Sequence, residues 1–170
     1  GVMPVFGKNL MRAFPPATIQ PGDVFICNDP WLCNGQTADV FIATPAFLDA
    51  SFIGFSVNSV HHVDIGGRKG SGLAEEVYEE GLIIPMLRLY AGGQPNEDLF
   101  QLLRRNVRFA EKMIGDIRAQ VAAGWIGAEA MTALAREFSL PSLIVVADEI
   151  ISRTEAGMRR GIADLPDGRH

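Results

Sequence analysis

The sequence changes character near residue 95, and that change constrains the fold more than any single motif. Before it, glycine and proline are dense and apolar residues alternate or come in short runs; after it, they recur every three or four positions. Strand-period followed by helix-period patterning predicts an α+β chain. Residues 1–94 read as a β-rich metal and substrate region and 95–170 as a helical region, together one continuous structural unit. The clearest strand is Ser51 to Val60, where Ile53, Phe55 and Val57 alternate with Gly54, Ser56 and Asn58. A period of two is what a strand with one buried face requires. Carried on, the alternation sends His61 and His62 to opposite faces unless the strand has ended, so at most one of them shares a pocket with side chains of the other face.

Asp23–Cys27 and Asp39–Thr44 read as short buried strands, the second resuming after Pro45 through Ala46–Leu48. Pro4, Pro15, Pro16 and Pro21 predict irregular structure over residues 1–22. Pro85 marks Leu82–Tyr90 as an edge or irregular strand. In the helical region Asn96 is a good N-cap, with Glu97 and Asp98 in the first turn, where the helix dipole favours acids. Leu99, Leu102, Leu103 and Val107 form its buried stripe. Met113, Ile117, Val121 and Trp125 sit four apart and predict a longer helix, loosened by Gly124 and Gly127. Pro141 ends it, and a last helix from Ser142 to Ala163 carries Ile144, Ala147, Ile151 and Met158 on one side.

Charge removes one class of function. The net charge is −5 and the densest basic spots are the pairs Arg104-Arg105 and Arg159-Arg160, too little to neutralise a nucleic-acid backbone. No apolar run approaches the roughly 18 to 20 residues that span a bilayer, and the N-terminal stretch lacks a secretory signal pattern. A cytoplasmic location without a membrane partner is therefore expected, with Cys27 and Cys33 as free thiols. Nothing close to Cys27 in the sequence lowers its pKa.

The chemistry-bearing residues gather between Asn28 and Glu80. His61-His62-Val63-Asp64, following Asp29 and Asp39, brings two imidazoles and three carboxylates into glycine-rich loops and strand ends. Such a donor set suits a divalent metal, Zn, Mn or Fe rather than Ca. The alternative is a surface histidine pair with Asp64 in a turn. Asp29 is a ligand or base, or else closes an Asx turn before Pro30. Gly66 to Gly72 (GGRKGSG) lacks the order of a phosphate-binding loop and reads as a flexible lid or substrate loop, which puts any ATP site on another chain. Glu75, Glu76, Glu79 and Glu80 form an acidic run. It is either a solvated face or, with Glu76 and Glu80 on one side of a helical turn, a source of ligands or of a general acid and base.

Gly22 to Trp31 (GDVFICNDPW) resembles the GDVFxxNDPY/W stretch of the hydantoinase B family. That family includes the B component of N-methylhydantoinase, the matching half of 5-oxoprolinase and the alpha subunits of acetone carboxylases. Gly35-Gln36-Thr37-Ala38-Asp39-Val40 sits where that family tends to have GHLxDV, His61 to Gly67 resembles its HHxDIGG, and Glu76 to Pro85 its EIxxEGLxIPP. Asn96-Glu97-Asp98, Asn106-Val107-Arg108, Gly115 to Gln120 and Leu165 to Gly168 continue the likeness.

The resemblance implies a component of an ATP-dependent hydantoinase- or oxoprolinase-type enzyme that hydrolyses a cyclic amide at a metal site. The alternatives are a subunit of an ATP-dependent ketone carboxylase and a degenerate, non-catalytic scaffold subunit. It implies an A-type ATP-binding partner subunit that phosphorylates the substrate, and a larger B-type subunit of which this chain is a part. It makes Asp39, His61 and Asp64 the metal ligands or their neighbours, with His62, Asp29 and Glu76 as catalytic candidates. The sequence departs from the family at Gln36, where the family's loop histidine is absent, and in its shorter length.

Overall fold

The computed structural model describes residues 2–33, 35–68, 73–140, 142–163, 165, 166 and 168. Its centre is an antiparallel five-stranded sheet built from β1 (Val24–Cys27), β2 (Asp39–Leu48), β3 (Ser51–His61), β4 (Leu87–Ala91) and β5 (Gln94–Pro95), in the spatial order β3-β2-β1-β4-β5. The helices are α1 (Val2–Ala13), α2 (Val77–Glu80), α3 (Glu97–Asn106), α4 (Ala110–Glu137) and α5 (Ile144–Ala163). The architecture is α+β as expected, with one exception in the first half.

That exception is α1. Residues 1–22 were expected to be irregular because of their prolines, yet Val2–Ala13 is helical. Pro4 falls in the first turn, where the missing N–H has no intrahelical partner to lose, and Pro15 and Pro16 lie beyond the last turn. Phe6 and Leu10, four apart, are the residues α1 buries.

Alternation along the strands divides the interior in two. Val24 and Ile26 of β1 and Val40 and Ile42 of β2 pack with Leu103, Met113, Ile117 and Val121 of α3 and α4. The intervening Phe25, Cys27, Phe41 and Ala43 pack with Phe6 and Leu10 of α1. Residues from both sides of position 95 thus share one core.

β3 departs from a buried-against-solvent alternation. Phe55 and Val57 lie against the phenylalanine-rich cluster, but the face with Gly54, Ser56 and Asn58 lies under α4. A Cβ at Gly127 would run into the Ser56 side chain, and one at Gly124 into Thr44. These glycines do not loosen the helix; they let α4 approach the sheet closely.

Leu82–Tyr90 is also corrected. The strand begins only at Leu87, past Pro85, and β4 is an inner strand paired with both β1 and β5. Ahead of it the chain is held by Asn28, whose backbone amide donates to the Ile84 carbonyl (3.0 Å) and whose side-chain oxygen accepts from the Ile84 amide. In α3 the Asn96 side chain accepts from the Leu99 amide at 3.1 Å, the expected cap. Leu102 is exposed and Phe100 takes its place in the buried stripe, because Leu99, Phe100, Leu103 and Val107 lie on one side of the helix. On α4, Trp125 is 42% exposed, although its ring reaches Tyr90 at 6.3 Å between centroids.

Helix α5 has no buried residue, and Ile144, Ile151 and Met158 on its predicted stripe are exposed. Pro141, the Lys69–Gly72 part of the glycine loop and Asp167 of the terminal turn lie outside the described residues. No helix among the described residues is long and apolar enough to cross a membrane.

Candidate functional site

Antiparallel pairing of β2 with β3 sets the first residue of one strand against the last of the other, so Asp39 stands opposite His61. Their side chains meet, with His61 Nδ1 2.8 Å from Asp39 Oδ1. The end group of Gln36 completes the contact, its Nε2 lying 3.1 Å from Asp39 Oδ2 and 3.3 Å from His61 Nδ1. This trio stands at a cavity of about 500 Å³ whose wall includes His61, His62, Thr37, Asp64, Glu80 and Arg108. Alternation kept the two histidines apart unless the strand had ended, and it has: β3 ends at His61, and both histidines line the cavity.

His62 is buried at 2% exposure. Its backbone amide donates to the Ala38 carbonyl at 2.8 Å, and its ring Nε2 lies 2.9 Å from Gln120 Oε1 on α4. Glu80, at the end of α2, accepts from the Thr37 amide through Oε2 at 2.9 Å. The Gln36–Asp39 turn is therefore fastened to the acidic segment.

Asp64 lines the cavity but its oxygens are committed elsewhere. Oδ1 accepts from the Gly66 amide at 3.1 Å and from the Arg108 guanidinium at 2.7 Å, while Oδ2 accepts from the backbone amides of Arg108 and Phe109 just ahead of α4. Burial alone would raise its pKa, but those amides, helped by the guanidinium, hold the carboxyl below its usual range. Arg108 reaches on to the carbonyls of Gly66 and Gly67. Gly67 has φ +67°, and a side chain there would collide with the backbone of Glu79 to Gly81, so only glycine fits between this loop and α2.

Asp29 and Glu76 are not in the cavity wall. Asp29 Oδ1 accepts from the Trp31 amide at 2.9 Å and its carbonyl from the amides of Leu32 and Cys33, an Asx-turn arrangement. Glu76 is exposed and extended at the N-cap of α2, outside the helix. The helical alignment expected of Glu76 and Glu80 therefore does not form, and Glu80 alone faces the cavity. Cys27 and Cys33 are free and buried in the phenylalanine-rich cluster. Contrary to the sequence-based expectation, Cys27 does have a neighbour that lowers its pKa: the hydrogen bond from the Cys33 thiol, which itself is pushed up.

Among the described residues no three His, Cys, Asp or Glu side chains gather as a metal site. Asp39 and His61 are donor types that a divalent ion accepts, and their atoms, 2.8 Å apart, are in hydrogen-bond contact with each other. The Gln36 amide, turned over, offers its oxygen as a third and weaker donor at the same place.

Sequence reasoning missed Gln120, Thr37 and Arg108 as site residues. Gln120 carried a readable signal, being a polar side chain three positions after Ile117 on the apolar stripe of α4. Arg108 and Thr37 lie in family-like stretches, but their roles depend on loops meeting across more than 40 positions, which no local pattern shows.

Comparison with known proteins agrees with the resemblance. The family model for hydantoinase B/oxoprolinase matches residues 1–170. The B component of a putative D-/L-hydantoinase from Pseudomonas sp. is 33% identical over 157 residues, covering 90% of this chain and 26% of the relative. The beta subunit of the Pseudomonas jessenii caprolactamase is 32% identical over 153 residues, covering 88% of this chain and 26% of the relative. The crystal structure of the ATP-dependent caprolactamase from Pseudomonas jessenii superposes with a TM-score of 0.84 at 29% identity, over 98% of this chain and 30% of that one. A nucleotide-free acetone carboxylase structure gives 0.68 at 21% identity over 86% of this chain and 20% of the other, a likeness of fold. The chain spans about a quarter of the curated relatives it matches first. It belongs to the hydantoinase B/oxoprolinase family.

Proposed function

We propose that the chain is the part of a B-type subunit that holds the metal and the substrate in ATP-dependent hydrolysis of a cyclic amide. The observation that carries the reading is the Asp39–His61 pair, 2.8 Å apart and with Gln36 against both, where His61 and Gln36 line a cavity of about 500 Å³. Support comes from the relatives' names, since hydantoin, caprolactam and oxoproline are all cyclic amides.

Asp39 and His61 would hold a divalent ion, Mn, Zn or Fe, with Gln36 as a weaker donor. When bound, such an ion supplies Lewis-acid polarisation of a carbonyl or phosphoryl oxygen. The chain's own groups do the rest. His62 presents a buried imidazole to the substrate. Asp64 and Arg108 hold the Ile65–Arg68 loop against α4 and so fix the far wall. ATP is bound and used by an A-type partner subunit. The uncovered Ile144, Ile151 and Met158 stripe of α5 packs on the remainder of a B-type subunit, relatives of this chain being about four times its length.

A second reading, the degenerate scaffold, is favoured by one observation. The Gln36 amide nitrogen lies against both donors, where the family has an imidazole.

Metal content decides between them. Plasma mass spectrometry on the purified chain and on His61→Ala is expected to find about one Mn, Zn or Fe per chain, lost in the variant. The same substoichiometric content in both proteins, whether alone or co-purified with an A-type subunit, would refute the metal site and favour the scaffold.

A further inference from the structure

Two cavity-wall residues carry buried polar atoms with no partner among the described residues: Nδ1 of His62 and Oγ1 of Thr37. Unpaired buried polar atoms are rare and each asks for an explanation. The His62 ring is held by a network that leaves the neutral imidazole one tautomer.

Backbone carbonyls only accept hydrogen bonds. Gln120 Nε2 lies 2.9 Å from the Val40 carbonyl, so that atom is the amide nitrogen and donates. The same nitrogen donates to Asn58 Oδ1 at 2.9 Å. Asn58 is oriented in turn by its own Nδ2, which donates to the Gln120 carbonyl at 2.9 Å. With both amides fixed, Gln120 Oε1 is an acceptor, and the ring nitrogen 2.9 Å from it, His62 Nε2, must carry a proton. A neutral imidazole has one N–H, so Nδ1 is bare.

We infer that Gln120 is a positioning residue that locks His62 in its Nε2–H tautomer, keeping the buried Nδ1, which has no partner among the described residues, as an acceptor that reads a hydrogen-bond donor on the ligand. The donor is an N–H of a cyclic amide, a step that rests on the proposed function; the tautomer lock does not. Within the site the roles divide. Asp39 and His61 hold one another, while the His62 ring is held from α4 through Nε2, which leaves Nδ1 for the ligand. A carbonyl compound with no N–H gives Nδ1 nothing to accept and leaves it unpaired.

The experiment is long-range proton–nitrogen NMR on the 15N-labelled full chain. It has three histidines, and His62 is assigned by loss of its signals in His62→Phe. The wild type is expected to show His62 with protonated Nε2 and bare Nδ1, and Gln120→Met, which keeps length but removes the acceptor, to show mixed tautomers. A protonated Nδ1 in the wild type, or an unchanged single tautomer in folded Gln120→Met, would overturn the lock. Adding hydantoin is expected to shift the Nδ1 resonance, and adding 1,3-dimethylhydantoin, which has no N–H, to leave it in place. Equal shifts from both compounds would overturn donor reading. A shift from neither, with the expected tautomer present, would refute the cyclic-amide reading and the donor half of the inference while leaving the role of Gln120 supported.

Discussion

Replacing Asp64 by Asn separates a structural carboxylate from a metal-ligating one at nearly constant volume. In the structure each oxygen takes two donors: Gly66 N–H and the Arg108 guanidinium on Oδ1, and the Arg108 and Phe109 amides on Oδ2. Asn retains one acceptor oxygen, so in either orientation its NH₂ group confronts two donors. An unmet buried donor costs about 1 kcal/mol or more. The Arg108 side chain is 40% exposed, so solvent screening discounts its share to below about 1 kcal/mol. The substitution should therefore cost about 2 kcal/mol, and Asp64→Ala about 3 kcal/mol. With a urea m-value of about 2 kcal/mol per M, the Asn variant unfolds at a midpoint about 1 M lower with m unchanged. The sign of the pH dependence follows from the depressed carboxyl. Its contribution is present above the unfolded carboxyl pKa, about 3.9, and is lost as pH falls through the lower folded value. Asp64→Asn should thus be destabilised at neutral pH and lose less than wild type on acidification below about pH 4. A midpoint shift under about 0.3 M, together with loss of bound metal, would refute the structural role and make Asp64 a ligand.

Two further substitutions test other parts of the site with opposite expectations. Gln36→His puts an imidazole beside Asp39 and His61, and should raise metal affinity by about tenfold or more in competition with a chelator; no gain would mean that the donors do not converge on one ion. Thr44→Val removes a buried hydroxyl with no hydrogen-bond partner among the described residues while keeping its shape, and should stabilise the chain by about 1 kcal/mol in urea unfolding. A loss of stability there would show that the hydroxyl has a partner.

What the sequence made legible followed from local periodicity. The alternation of Ser51 to Val60 located β3, Asn96 marked the start of α3, and the spacing of Met113, Ile117 and Val121 located α4. Each depends on a residue and its near neighbours. Helix α1 was obscured because counting prolines ignores where they fall; Pro4 is harmless in a first turn. Glu76 was given a helical partner in Glu80 because four-residue spacing does not show that α2 starts only at Val77, with Glu76 extended ahead of it.

The site itself was half legible for the same reason. Asp39 and His61 meet because two strands pair in a register that sets their ends opposite; periodicity marked the two strands, and the family resemblance, not periodicity, named the two residues together. His62 depends on Gln120, 58 positions away on a helix, and its chemistry is decided there. Alternation correctly sends the two adjacent histidines to opposite faces: His61 to Asp39, on the side of Phe41, and His62 to α4. What alternation cannot express is that a sheet face ends. Past the last residue of β3 the two faces open on the same space, so a single dipeptide places an imidazole beside a carboxylate and a second imidazole, held by an amide, in one cavity. A one-residue slip of β3 against β2 would turn His61 away from Asp39 and break the pair. The ladder from Asp39 to Leu48 therefore fixes the site as firmly as it fixes the core.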